Sequence, residues 1–178
     1  MKRKATLALT TMALLGLAVV PPAGDVLAQE KQRLVFKVDA ANTKYTQQHM
    51  IDVGDVPGHQ VRLFEIHRSY PSNAPVINGT KIVESWARGI TDYTNNNGAA
   101  TTYAVYVLEN GDKFFTRGSL VAVQSPDASK LTATTVGPIT GGTGKLAGIQ
   151  GISRTVTSAD PKAGVNETQV EIEYWLAK

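Results

Sequence analysis

A glycine-rich stretch near the end of the chain, residues 137–151 (GPITGGTGKLAGIQG), constrains the fold more than any other segment. It contains six glycines, the residue favoured where φ is positive or where no side chain fits. Ile139, Leu146 and Ile149 interrupt the run at apolar positions. We therefore predict a tight turn over residues 141–145, between two strands that pack against a core.

The letters GGTGK within this stretch suggest a phosphate-binding loop, but the spacing does not fit one. Such a loop needs a lysine followed by serine or threonine at the start of a helix. Here Lys145 is followed by Leu146 and Ala147, and no helical pattern follows. We do not expect nucleotide binding.

The rest of the chain consists of short segments of alternating polar and apolar residues separated by turn residues. The pair Asn110-Gly111 is the strongest hairpin signal. We predict about eight strands and no amphipathic helix, with the strands at residues 33–38, 61–68, 81–91, 101–108, 113–124, 131–136, 149–157 and 168–176. Residues 39–57 mix polar and apolar residues without a period, and we expect them to be only partly ordered. The pattern predicts one all-β domain over residues 29–178, either an antiparallel sandwich or a closed barrel.

Residues 1–28 read as a secretory signal peptide. Lys2, Arg3 and Lys4 precede an apolar run that is too short to span a membrane, and small residues precede a cleavage site near Ala28. The alternative is an uncleaved anchor. We expect a secreted or periplasmic protein without a stable membrane anchor. Much of the formal charge of +3 lies in the leader, so the remainder has no electrostatic footprint for nucleic acid.

Three motifs of the sequence resemble motifs of the allene oxide cyclase and dirigent superfamily. They are the glycine motif at residues 141–151 (GGTGKLAGIQG), the hairpin at 110–118 (NGDKFFTRG) and the strand segment at 63–67 (LFEIH). The glycine motif does not separate cyclases from dirigent proteins, whereas LFEIH leans towards the cyclases. The resemblance implies an eight-stranded antiparallel β-barrel of calycin type, usually trimeric, with a mostly apolar cavity and no cofactor.

The resemblance also implies candidate catalytic residues. Allene oxide cyclases fold an unstable allene oxide into one conformation and use a glutamate and a bound water. Glu65 matches the position of that glutamate, and His67 stands where the plant enzymes carry an asparagine. Pro75 is the nearest match to a Ser-Pro pair of the plant enzymes, and their cavity cysteine has no counterpart because this chain has no cysteine.

The chemistry of the strand gives an independent reason to single out Glu65 and His67. The two residues are two positions apart, so their side chains point to the same face, together with Val61 and Leu63. Inside an apolar cavity, burial would shift both pKa values and let the pair hold a proton or a water. The alternative is that the opposite face, with Phe64 and Ile66, forms the core. We expect the Glu65 face to point inward, because Arg62 and Arg68 share the other face and buried arginines are costly.

Strand aromatics and one arginine are further candidates for contact with a substrate, although core packing or solvent exposure is the alternative for each. These candidates are Trp86, Tyr103, Tyr106, Phe115, Arg117 and Tyr174. Arg117 is a candidate to bind a carboxylate at the cavity mouth. Glu84 and Arg88, which flank Trp86, are expected to form a surface ion pair. The histidines lack the spacing of a zinc site, and we expect neither a metal nor a cofactor.

Two classes of function are compatible with these residues. The first is an exported, cofactor-free isomerase that binds a hydrophobic small molecule and steers its cyclisation through orientation and charge placement. The alternative is a non-catalytic, dirigent-like or lipocalin-like binding protein for a lipid, terpenoid or phenolic. A third possibility, a structural protein, requires a barrel interior filled with side chains. The resemblance implies a homo-oligomer, specifically a trimer.

Overall fold

A computed structural model describes residues 30–160 and 165–177 of the chain. The predicted signal peptide lies outside these residues. The described part is all-β, and its ten strands belong to one sheet. They are β1 (Gln32–Val38), β2 (Thr43–Asp52), β3 (His59–Ser69), β4 (Val76–Ile77), β5 (Thr80–Thr94), β6 (Asn97–Leu108), β7 (Lys113–Gln124), β8 (Leu131–Gly142), β9 (Ile149–Asp160) and β10 (Val165–Leu176). Single 3-10 turns occupy Ala40–Asn42 and Gly144–Leu146. No helix in the described ranges has the length and hydropathy needed to cross a membrane.

The strands follow the order β1-β10-β9-β8-β7-β6-β5-β3-β2, and the short β4 pairs with β5. Every neighbouring pair is antiparallel. The edge strands β1 and β2 do not pair with each other in the described residues, so the hydrogen-bonded ladder does not close. The all-β antiparallel prediction is confirmed, whereas the strand count is ten and not eight.

The prediction of partial order for residues 39–57 is wrong, because β2 lies within this segment. Its sequence, TKYTQQHMID, lacks a strict alternation because a bulge between Tyr45 and Gln47 shifts the register. A bulge moves the following side chains to the other face, which hides the period-2 signal. Pairing with β3 along almost its whole length makes this polar segment a strand.

Both predicted turns are confirmed. The Asn110-Gly111 pair joins β6 to β7, and Gly111 has a φ of 85°. In the glycine-rich stretch, Gly144 has a φ of 53° and begins the 3-10 turn between β8 and β9. A Cβ atom on Gly144 would lie 1.8 Å from Oδ1 of Asp112, whose Oδ2 accepts a 3.0 Å hydrogen bond from the backbone of Lys145. Only glycine allows this turn to dock on the β6–β7 hairpin.

One end of the sheet is filled by a hydrophobic core. The core gathers the final residues of β6, β8 and β10 and the first residues of β5, β7 and β9. Its buried members are Val38, Tyr70, Ile77, Ile82, Tyr106, Leu108, Phe114, Ile139, Leu146, Ile149, Val170, Ile172 and Tyr174. Burial of a side chain such as Phe114, which is 0% exposed, contributes roughly 1.5–3 kcal/mol. This core closes one end and leaves the interior space to the other part of the sheet.

Candidate ligand-binding cavity

One face of the sheet borders a cavity of about 150 Å³. Residues from β2, β3 and β5 to β10 line it, so the sheet wraps around the space. Much of the wall is made of small or hydroxyl-bearing residues, namely Ser85, Ala87, Thr91, Thr102, Ala104, Thr116, Ala133, Thr135, Ser153, Thr155, Thr157, Ala159 and Thr168.

The space exists because small residues face the apolar part of β3. Across the ladder, Phe64 is paired with Gly89 and Ile66 with Ala87. The next strand continues these two rows with small residues, Thr102 and Ala104. We call the small residues of these two rows the small-residue belt: Ala87 and Gly89 on β5, Thr102 and Ala104 on β6, and Thr116 and Gly118 on β7. A Cβ on Gly89 would lie 2.6 Å from Cζ of Phe64, so the aromatic ring packs directly on the glycine.

Two arginines on β3 border the small-residue belt, Arg62 on one side and Arg68 on the other. Their Cα atoms are about 20 Å apart, given the rise of an extended strand over six residues. The Nε atoms of both are buried and have no hydrogen-bond partner in the described residues. Arg62 makes a 3.4 Å hydrogen bond to Oε1 of Gln48. The residues that line the cavity include no aspartate, glutamate or histidine, so neither guanidinium is neutralised there.

Tyrosines supply further donors to the same cavity. The hydroxyls of Tyr70 and Ser85 share a 2.8 Å hydrogen bond, and Tyr106 and Ser153 line the same cavity. Burial raises the pKa of Tyr70, of Tyr93 and of Tyr106 above the ordinary tyrosine value. These phenols therefore stay protonated at neutral pH. The cavity combines two positive charges with neutral hydroxyls, an environment suited to an acceptor-rich ligand.

The predicted inward orientation of Glu65 and His67 is wrong. Phe64 and Ile66 are each 7% exposed and line the cavity, whereas Leu63, on the Glu65 face, is 51% exposed. Glu65 lies on the outer surface, where Thr46 Oγ1 donates to Oε1 and Arg88 Nε donates to Oε2, both at 2.7 Å. The prediction of the inward face was wrong because it overestimated the free-energy cost of placing two arginines on that face. That cost is lower than expected because both arginines remain partly accessible along the cavity.

His67 belongs to the same outer surface. Its Nε2 is 2.8 Å from Oε2 of Glu84, and its ring lies over Trp86 with centroids 4.3 Å apart. The expected Glu84–Arg88 ion pair is also wrong, because Glu84 pairs with His67 and Arg88 with Glu65. The hydrogen bond from Thr46, followed by that from Arg88, lowers the pKa of Glu65. The hydrogen bond with His67 lowers the pKa of Glu84. Both carboxylates are thus held ionised at the surface.

The other candidate substrate contacts divide between the cavity and elsewhere. Tyr106 lines the cavity. Arg117 borders it, but its guanidinium lies 5.7 Å from the ring centroid of Tyr103, which is 49% exposed on the outer surface. Tyr174 is buried in the hydrophobic core, where its hydroxyl accepts a 3.1 Å hydrogen bond from the backbone of Asn78. The candidates Pro75, Trp86 and Phe115 are not among the lining residues.

The cavity residues that sequence reasoning missed are Arg62, Arg68, Tyr70, Tyr93 and Tyr45. A signal for the arginines was present in the strand itself. Arg62 and Arg68 flank Phe64 and Ile66 in phase, so one face combines charge with large apolar groups. Such a face is costly in a packed core, which makes it a mark of a cavity.

The described ranges contain no group of three or more histidine, aspartate or glutamate side chains arranged to hold a metal ion.

Comparison with known proteins places the fold but not the function. No protein-family model matches the sequence, and no curated protein matches it. The pterocarpan synthase dirigent protein GePTS1 superposes with a TM-score of 0.51 at 14% identity, covering 95% of this chain and 99% of that one. The pterocarpan synthase dirigent protein PsPTS1 gives a TM-score of 0.50 at 13% identity, covering 84% of this chain and 97% of that one. At this identity the likeness shows a dirigent-like fold alone.

Proposed function

We propose that this protein is a dirigent-like binding protein that holds one small organic molecule in its cavity and fixes the orientation of that molecule. The observation that carries the proposal is the cavity of about 150 Å³, lined largely by small residues and by hydroxyl groups. A cavity of about this volume can hold a molecule the size of benzene. Two solved structures of similar fold are named as pterocarpan synthase dirigent proteins, which favours a phenolic ligand.

Glu65 does not take part in this proposal. A cyclase of the expected kind needs a carboxylate inside the cavity, but Glu65 and His67 lie on the outer surface. The groups that face the ligand are hydrogen-bond donors, and donors can orient a carbonyl or phenolic oxygen without forming a covalent bond to it. Steering of a cyclisation would then depend on orientation by Arg62, Arg68 and the tyrosines.

The proposal is tested by filling the cavity. Ala104 lines the cavity on β6, and Ala99 is exposed on the outer face of the same strand. We expect native mass spectrometry of the purified protein to detect a one-to-one complex with a member of a panel of monocyclic phenolics and short lipids. Ala104→Phe should abolish the complex, and Ala99→Phe should retain it. Binding that survives Ala104→Phe, or a panel without any binder, would refute the proposal.

We also propose that the sheet works as an eight-stranded barrel in which β1 and β2 act as one interrupted strand. Eight antiparallel pairings separate β1 from β2, so the two run in the same direction. Residues 39–42 join them directly. The ring of Phe36 on β1 packs edge-to-face on that of Tyr70, just beyond β3, with the ring centroids 5.6 Å apart. Hydrogen exchange tests this arrangement, because rapid exchange throughout β1 would indicate a frayed edge and an open sheet.

Self-association is the last part of the proposal. Leu63 and Ile90 are cross-strand partners on the outer surface and are 51% and 53% exposed. Paired apolar residues on an outer sheet face support a homo-oligomer, a trimer by family resemblance. Light scattering should show a mass above that of one chain, and Leu63→Lys should reduce it. A monomeric wild-type protein would exclude the oligomer.

Export through residues 1–28 also stays a proposal, tested by the mass of the secreted product.

A further inference from the structure

The cavity contains two arginine side chains, whereas a neutral phenol needs no positively charged partner. Arg62 and Arg68 both line it, and their Nε atoms are buried without a partner in the described residues. Three arginines on the outer surface of the sheet behave differently: Arg33, Arg88 and Arg154 are each paired with a glutamate. The sheet therefore has carboxylates available for arginine, but none of them lines the cavity.

Arg68 lies where the cavity meets the hydrophobic core. Across the ladder, Arg68 is paired with Ser85, and Ser85 with Tyr106. Tyr106 is stacked on the fully buried Phe114 at a centroid distance of 4.5 Å, which is the start of the hydrophobic core. Arg68 thus lies on the last row of the cavity before the packed end. The neighbouring groups are the Tyr70–Ser85 hydrogen bond and the hydroxyl of Tyr106, all of them neutral.

The small-residue belt separates Arg68 from Arg62. Between the two arginines, the rows across β3, β5 and β6 contain Phe64 and Ile66 opposite glycine, alanine and threonine. A flat ring can lie beside Phe64, because the whole cavity has a volume of about 150 Å³, which suits one aromatic ring and not a long chain. Arg62, whose guanidinium makes a 3.4 Å hydrogen bond to Gln48, adds a second positive charge on the other side of the belt.

From this arrangement, and on the basis of the proposed binding function, we propose that the ligand is a monocyclic aromatic carboxylate whose carboxylate is bound by Arg68 at the closed end of the cavity. A guanidinium binds a carboxylate through two parallel hydrogen bonds, and the partly desolvated site strengthens them. The ring occupies the small-residue belt, and Arg62 raises the local potential for an anion. A neutral ligand of the same shape would leave both guanidinium groups without a charged partner, which disfavours it.

The test compares 4-hydroxybenzoate with 4-hydroxybenzamide, which has nearly the same shape and no charge. Calorimetry on the purified protein should show that the acid binds at least about tenfold more tightly than the amide. Arg68→Gln should weaken the acid by about tenfold or more and weaken the amide by a clearly smaller factor, because the amide carbonyl accepts only a neutral hydrogen bond. Arg68→Lys, which keeps the charge, should recover part of the affinity. Arg154→Gln, a strand arginine outside the cavity, is the matched control and should change neither ligand.

The outcomes separate this inference from the proposed function. Equal affinity for acid and amide, or an Arg68→Gln variant that binds the acid normally, would overturn the carboxylate site while leaving a binding cavity in place. Failure of both probes and of the wider panel would overturn the proposed function itself. Inorganic phosphate is a further probe. If phosphate binds with the same affinity as 4-hydroxybenzoate, the site accepts free anions and the aromatic part of the inference is overturned.

Discussion

Arg88 Nε donates a 2.7 Å hydrogen bond to Oε2 of Glu65 on the face of the sheet that points away from the cavity. This contact joins neighbouring strands, since the two residues are directly paired across β3 and β5. It makes Glu65 a structural carboxylate of the outer surface. The site proposed above is consequently built on the other face of the same strand, from Arg62 and Arg68.

Glu65→Gln should leave ligand binding in the cavity unchanged, because the side chain does not reach that face. The variant should unfold at a slightly lower temperature at neutral pH, since the amide cannot replace the charge-assisted bond from Arg88. The partners of Glu65 lower its pKa in the folded protein. Its contribution to stability is therefore present above the ordinary value of 4.5 and is lost as the pH falls through the lowered pKa. Calorimetry and thermal unfolding measure both effects, and a large loss of ligand affinity would contradict the outward placement.

Gly89→Ala should destabilise the protein by about 1–3 kcal/mol, the cost of overpacking an interior site. The new Cβ would lie 2.6 Å from Cζ of Phe64 and 2.8 Å from the carbonyl oxygen of Thr101. Adding Phe64→Leu should recover part of the loss, because the leucine removes the ring but the carbonyl oxygen remains. Urea unfolding of both variants provides the measurement. Full stability of Gly89→Ala would mean that Phe64 does not pack on the glycine.

His59 should make the stability depend on pH above the ordinary histidine pKa. Its Nε2 is 2.7 Å from Oδ1 of Asp92 and its Nδ1 is 2.6 Å from Oδ1 of Asp55. These hydrogen bonds, that with Asp92 first, raise the pKa of His59 above 6.5. The stabilisation is therefore complete below 6.5 and is lost as the pH rises through the raised pKa.

Melting temperatures measured from about pH 5 to about pH 9 should fall more steeply for the wild type than for His59→Gln. Subtracting the two curves removes the contributions of the other histidines, which both proteins share. Parallel curves would show that His59 does not anchor the β2–β3 hairpin to β5 through its charge.

Arg68→Met should stabilise the protein in the absence of ligand by about 1 kcal/mol or more, because it removes a partly buried charge for which the described residues supply no acidic partner. The exposed Arg33, which is 2.9 Å from Glu171, supplies the control: Arg33→Met should produce no such gain. Denaturant unfolding of the two variants tests this. A loss of stability in Arg68→Met would show that the guanidinium makes a stabilising contact within the fold, contrary to a role reserved for ligand.

The elements of this fold were readable from local sequence where the local signal was strong. The Asn110-Gly111 hairpin and the turn in the glycine-rich stretch follow from residues that accept positive φ, which is a property of the individual residue. The alternation of β3 also identified a strand correctly. The segment of β2 was missed because a bulge breaks its alternation, and its order comes from pairing with β3.

The sequence by itself determined that this chain forms antiparallel strands joined by tight turns. Only the tertiary structure decided which face of β3 points inward. Each face of that strand offers two apolar and two ionisable residues, so the period of two is the same whichever face is buried. The choice depends on neighbours distant in the chain: Ala87 and Gly89 leave room for Ile66 and Phe64, and Arg88 and Thr46 bind Glu65 on the opposite side. Packing against other strands, and not the strand's own pattern, placed the arginines in the cavity.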